Sequence, residues 1–249
     1  MNAHLRANLL LLGLTVFLCC ILYPLTLWSI GQICFPNQAS GSLIDKNGNP
    51  TNNESEAAGS RLIAQPFNGP EYFHPRPSAP SYDASVSGGS NLSATNPKLR
   101  ARVAQALGPI VKYRTGPKKD QLVGPDIEQW VAENRFKAVG KGTEVQRDYF
   151  DRWLTAHPDV ALIEVPADGL MASGSGLDPH ITLKNARYQL DRVVTAWAAK
   201  TKADKSKVRK TIEDLLNSKS EAPLGGLAGV KLINVLEVNL ALRERMAGF

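Results

Sequence analysis

Leu9 to Ile33 reads LLLLGLTVFLCCILYPLTLWSIGQI, a run of 25 residues without a charge or a histidine. The uncharged stretch is longer still, from Arg6 to Asp45. At ~1.5 Å per residue such a helix is about 37 Å long, enough to cross a hydrocarbon core of ~30 Å with some tilt. A secretory leader has an apolar core of only ~7–15 residues and a small-residue cleavage site. This run ends in Cys34-Phe35-Pro36, and Cys19 and Cys20 lack the small residue that lipoprotein processing needs in front of a cysteine. The reading is a retained transmembrane helix. Pro24 predicts a kink or a packing point within it. Arg6 lies on one side, and no further basic residue occurs before Lys46 on the other. The positive-inside bias therefore puts a short N-terminus in the cytoplasm and the remainder in a periplasm or its equivalent. The expected organisation is residues 1–34 as N-terminus and span, then 35–249 as an exported mixed α/β domain.

Across its 249 residues the chain is 43% hydrophobic and 21% charged, a globular balance that rules out collagen, a disordered tail or a repeat fibre. Three cysteines, none in a CxxC pair, cannot build a disulfide framework. A net charge of +6 permits contact with an anionic surface without requiring it.

Residues 35–97 are rich in Gly, Pro, Ser and Asn, with Leu62-Ile63-Ala64 and Tyr72-Phe73 as short apolar pieces, read as strands or loop anchors. Asn96-Pro97 predicts an N-cap and first helical residue, with Leu99, Val103 and Leu107 on one face and Gly108-Pro109 as the stop. Residues 109–158 read as a separable insertion. It holds one helix over 125–136 and another opened by the capping-box spacing of Thr143 to Gln146. Val160–Val165, bounded by prolines, reads as a strand, and 168–182 as a small-residue loop. Thr182 caps a helix with Leu183, Ala186, Leu190, Val193 and Trp197 inward. A further helix follows over 204–216, then a Gly-rich turn at 225–229, and then a strand over 231–238 running into a last short helix.

Few segments carry the parts of a catalyst. Ser173, Ser175, Asp178 and His180 fall in ASGSGLDPH, so a membrane-anchored periplasmic serine hydrolase is the alternative reading. Triad members normally come from distant loops, however, and the G-x-S-x-G elbow is absent. A tight loop whose Ser and Asp side chains bond the backbone is the favoured interpretation. An envelope ligand-binding or adhesion module is a third possibility. His4, His74, His157 and His180 are scattered, with no metal-ligand spacing. Gly140-Lys141-Gly142-Thr143 only approaches a phosphate-binding loop. Lys200, Lys202, Lys205, Lys207, Arg209 and Lys210 make a basic cluster, read as a solvated or lipid-facing helix surface, not a nucleic-acid site. Gly88, Gly89, Gly174 and Gly176 permit positive φ and close backbone approach. Arg76, set between prolines, is a rigidly presented cation, and Tyr72-Phe73 an apolar anchor.

Taken in order behind the span, the motifs GSLI (41–44), GSRLIAQPF (59–67), YFHPRPSA (72–79), Tyr82-Asp83, SGGSNL (87–92), Asn96-Pro97, ASGSGLDPHI (172–181), Gln189 with Arg192-Val193, and NVLEVNLAL (234–242) resemble the C subunit of the bacterial Kdp potassium-transporting ATPase, the KdpC family. The resemblance covers about residues 7–108 and 160–245. The block between is longer than the family usually has, and Leu232-Ile233 stands where Pro-Val is frequent. The resemblance implies a non-catalytic accessory subunit of a high-affinity, ATP-driven potassium uptake complex in the inner membrane. Its implied partners are a channel-like potassium-binding subunit, a P-type ATPase subunit and a small further membrane subunit. The family is described as a catalytic chaperone that raises the ATP affinity of the hydrolysing subunit. The exported topology argues against direct ATP contact, so no cofactor is expected to bind tightly here, ATP and potassium being handled by the complex. Partner-docking candidates are Tyr72, Phe73, Arg76, Ser90 and Asn91. The positions the resemblance nominates for any nucleotide are Ser173, Ser175, Asp178, His180 and Gln189.

Overall fold

The computed structural model describes residues 3–136, 140–227 and 229–248, and all structural statements concern these. Met1 and Asn2 of the expected N-terminus, and residue 228 of the Gly-rich turn, lie outside them. The chain divides into two compact units, one up to Leu62 and one from Ile63.

The first unit opens with helix α1, Ala3–Cys34, which contains the whole apolar run. It is long and apolar enough to cross a membrane, and none of its most apolar window is buried inside the protein. Phe17–Leu22 form a π-helical turn in its middle. Pro24 explains this: it has no N–H to give to Cys20, and its ring crowds that carbonyl, so the preceding turn widens. The Tyr23 N–H accordingly reaches back to the Leu18 carbonyl. Beyond α1, strands β1 (Leu43–Asp45) and β2 (Ala57–Ser60) pair antiparallel, with Leu43 opposite Ser60 and Ile44 opposite Gly59. Asp45 Oδ1 accepts the N–H groups of Asn47 and Asn49, each at 2.8 Å, and so folds the turn. This hairpin is absent from the sequence-based expectation because its strands are short and β2, Ala-Ala-Gly-Ser, has no β-branched residue.

The second unit holds two hydrophobic clusters. In one, β3 (His180–Thr182) and β4 (Leu232–Asn234) form an antiparallel ribbon with Ile181 opposite Ile233. The ribbon packs with three helices, Leu183–Thr201, Lys205–Lys219 and Val235–Met246. Leu190, Val193, Trp197, Val208, Ile212, Leu215, Val238 and Leu242 fill the space between them. Each such aliphatic side chain contributes about 1.5–3 kcal/mol on burial. In the other cluster, helices Pro97–Leu107, Gly124–Glu133 and Thr143–Ala156 bury Ala104, Ile127, Val131, Val145, Phe150 and Trp153. A Cβ on Gly108 would collide with the Gln146 carbonyl and touch Phe150, so this helix pair needs a glycine at its crossing. Tyr188 joins the clusters: its hydroxyl donates to the Ile110 carbonyl at 2.9 Å, and its ring packs against the second. Lys112 meets Asp191 at 2.9 Å across the same seam.

The mixed helix-and-sheet class with one N-terminal apolar helix is what the structure has. Asn96 and Thr182 are N-caps as expected, and Asp204 and Asn234 cap their helices too, each accepting from a backbone N–H of the first turn. Three local expectations are corrected. Val160–Val165 is not a strand: it is an extended segment joined to 112–114 through one bridge at Leu162 and bonds to Arg114 and Lys112. The expected strand over 231–238 stops at Asn234, whose side chain turns to accept the Glu237 N–H and start the last helix. Thr143 does not cap its helix; Gly142, at φ +56°, occupies that place.

Candidate functional site

Residues 69–72 form a turn closed by the Tyr72 N–H on the Gly69 carbonyl, and 73–76 continue along the helix Leu183–Thr201 without a strand beside them, so their remaining backbone groups need side-chain partners. They have them in series. Arg192 Nη1 donates to the Pro70 carbonyl at 2.8 Å, and Trp197 Nε1 to the Glu71 carbonyl at 2.8 Å. Asn239, fully buried, takes the Phe73 N–H on Oδ1 and gives its Nδ2 to the Phe73 carbonyl, both at 2.9 Å. Gln189 repeats the arrangement on His74, accepting its N–H at 2.8 Å and donating to its carbonyl at 3.0 Å. Two primary amides thus replace a neighbouring strand.

Charge is managed at the same place. Arg192 Nη2 also reaches Gln189 Oε1 at 2.7 Å, and burial pulls this guanidinium down to about 10, with Glu71 opposing. His74 Nε2 lies 3.0 Å from the Gly69 carbonyl and 3.3 Å from Arg192 Nη1. Burial first, then the Arg192 charge, push the ring below its ordinary value. His74 is therefore held neutral.

The loop 172–180 closes the other side. Its backbone bonds to segment 64–88: the Ala64 N–H donates to the Leu177 carbonyl and the Gly88 N–H to the Ser175 carbonyl, both at 2.8 Å. Ser78 Oγ donates to the Gly176 carbonyl at 2.6 Å, and the Tyr82 hydroxyl to the Arg76 carbonyl at 2.8 Å. Gly176 sits at φ +70°, and a Cβ there would lie 2.6 Å from the Gly88 carbonyl oxygen. Of Gly88, Gly89, Gly174 and Gly176 it alone has positive φ. Arg76 Nη1 meets Asp178 Oδ2 at 3.3 Å, and His180 Nδ1 meets Asp178 Oδ1 at 3.2 Å. The His180 ring bond is the largest influence holding the Asp178 carboxyl below the usual range; burial opposes it, and the His180 N–H and Arg76 add to it.

These distances decide several residue expectations. Phe73 is fully buried in the first cluster, so it is a core anchor and cannot be a docking contact. Tyr72 is half-buried with its ring 5.5 Å from Phe67. Arg76, Asp178 and His180 keep 28%, 34% and 43% of their side chains exposed and form a continuous polar edge. Ser90 and Asn91 follow the Gly88 contact; Asn91 is exposed, with φ +49°. Ser173 is buried and accepts weakly from the Asp178 N–H at 3.5 Å, while Ser175 Oγ accepts from the Leu177 N–H at 3.1 Å. Among the described residues neither hydroxyl hydrogen-bonds to His180. Gln189 is committed to His74. Asn239, which holds the Phe73 backbone, is not named among the candidate residues read from the sequence; it stands inside the NVLEVNLAL motif, but its partner lies 166 residues away.

A family model described as KdpC, K+-transporting ATPase, c chain, matches residues 5–128 and 125–244. A potassium-transporting ATPase KdpC subunit from Caulobacter vibrioides is 36% identical over 248 residues, covering 98% of this chain and 95% of the relative. The subunit of the same name from Koribacter versatilis is 32% identical over 244 residues, covering 97% and 95%. That of Bacillus cereus is 33% identical over 229 residues, covering 92% and 89%. With the match running along nearly the whole length on both sides, the chain belongs to the KdpC family.

Proposed function

We propose that this chain is an accessory, non-catalytic subunit of an ATP-driven potassium importer, anchored by α1 in the inner membrane. Near-complete coverage of relatives named as potassium-transporting ATPase subunits is the observation that carries the reading. The N-terminus is cytoplasmic and residues 35–249 periplasmic, the 109–158 block being an insertion in that domain. Its partners are the channel-like subunit that carries potassium, the P-type subunit that hydrolyses ATP and a small membrane subunit. ATP and potassium stay with those partners, and this chain holds no tight cofactor. Any rise in ATP affinity is transmitted through the assembly, because a periplasmic domain and cytoplasmic ATP do not meet.

The Arg76–Asp178–His180 edge is the docking surface, with Tyr72, Ser90 and Asn91 as further candidate contacts. The bonds that pin it support this reading, since a pre-ordered surface loses little conformational freedom on binding. In a strain that depends on this pump at low potassium, deletion of the chain is expected to stop growth and re-expression to restore it. Undiminished growth of the deletion strain, with potassium uptake intact, would refute the proposal.

A further inference from the structure

An open cleft of about 540 Å³ lies in the second cluster, lined by residues between Tyr113 and Val160. Its volume falls in the range of small-molecule sites, ~300–1,000 Å³. One wall is aromatic. His157 stacks on Trp153 with ring centroids 4.7 Å apart, and Trp130 stands edge-on to His157 at 6.2 Å. The His157 ring is fixed by its Nδ1 contact with the Trp153 carbonyl at 2.8 Å.

The rest of the lining is charged, and the charges do not balance. Among the described residues that line it, Lys118 is the one lysine or arginine, and its Nζ is already bound to Asp126 Oδ2 at 2.7 Å. Asp126 also accepts the Tyr113 hydroxyl at 2.5 Å. Burial pushes the Asp126 carboxyl up, but Lys118 and Tyr113 outweigh it, so the group stays ionised. Among the described residues Glu133, which is exposed, receives a neutral amide hydrogen from Gln129 at 2.7 Å. Asp159 is exposed at the rim. Among the described lining residues Lys118 and Asp126 cancel, and Glu133 and Asp159 leave an excess of carboxylate charge.

We propose that this cleft binds a small organic ammonium ion. Its negative charge repels anions, and the indole and imidazole wall gives a bare metal ion too few oxygen ligands to replace its hydration shell. An alkylammonium suits both features, because its C–H and N–H surface carries diffuse positive charge that aromatic faces and carboxylates attract together.

The test is calorimetric titration of the full-length protein, in an uncharged detergent, with choline and with its neutral isostere 3,3-dimethylbutan-1-ol. Choline is expected to bind saturably, with a Kd of about 1 mM or tighter. The neutral alcohol should bind at least about tenfold more weakly, a difference of about 1.4 kcal/mol. The isosteric double variant Glu133→Gln with Asp159→Asn removes only charge and should weaken choline by about the same factor, with unchanged thermal stability. No saturable choline binding, equal binding of the alcohol, or full choline affinity in a folded double variant would each overturn the assignment.

Discussion

Asn239→Leu removes the one side chain that satisfies both backbone groups of Phe73, while keeping nearly the same volume. Both bonds are 2.9 Å long, and Phe73 and Asn239 are fully buried, so no water stands ready to replace the amide. Each backbone group left buried without a partner costs about 1–3 kcal/mol, or about 2–6 kcal/mol for the two. In a unit of about 190 residues, 1 kcal/mol corresponds to ~2–4 °C in Tm, so a loss of roughly 5–20 °C is expected. Thermal unfolding of the full chain in detergent, followed by far-ultraviolet circular dichroism, measures it. Gln189→Leu is the comparison. It breaks the matching pair of bonds to His74, together with those to Arg192 and Asn185, at a half-buried position where water can take their place, so its cost should be about 1–2 kcal/mol. A Tm within about 2 °C of wild type for Asn239→Leu, or a larger loss for Gln189→Leu, would refute the idea that the buried amide pins this segment.

Three further outcomes follow from the same network. Gly176→Ala meets both a φ of +70° and the Gly88 carbonyl, so it should destabilise the protein by at least about 2 kcal/mol, readable in the same melts. The His74 ring has a lower pKa folded than unfolded, so the unfolded chain binds more protons between the two values and stability falls as pH drops below about 6.5. His74→Gln should flatten the Tm profile between about pH 7 and 5, and an unchanged slope would assign it to other groups. Arg76→Ala leaves the core intact but strips the exposed edge of its cation. Assembly with the pump subunits or potassium-stimulated ATP hydrolysis should fall severalfold while Tm moves by no more than about 3 °C, since a partly exposed ion pair is worth ~1 kcal/mol or less.

What could be read in advance was local. Asn96 and Thr182 announce their helices because a cap and the N–H it accepts lie within three residues. The apolar run at 9–33 is legible because its length alone decides it. The β1–β2 hairpin escaped because three- and four-residue strands offer too few positions for an alternating pattern. Phe73 looked like a surface anchor because it stands among Tyr, His and Pro in a segment without periodicity. What buries it is a helix more than a hundred residues further along. The role of Asn239 is of the same kind: an asparagine in an apolar helix carries no sign of which distant backbone it will hold. The ASGSGLDPH loop was legible as backbone-bonding turn chemistry, whereas its partners in 64–88 were not, since those contacts are made through carbonyl and amide groups that every sequence has.

The most direct test of the functional account is a mild-detergent pull-down of the tagged full-length chain from cells grown at low potassium. Co-purifying proteins would be identified by mass spectrometry, and potassium-stimulated ATP hydrolysis measured on the eluate. The account expects a channel-like subunit and a P-type ATPase subunit to be recovered together with that activity. Recovery of this chain alone, without potassium-stimulated hydrolysis, from cells shown to contain both subunits would contradict it.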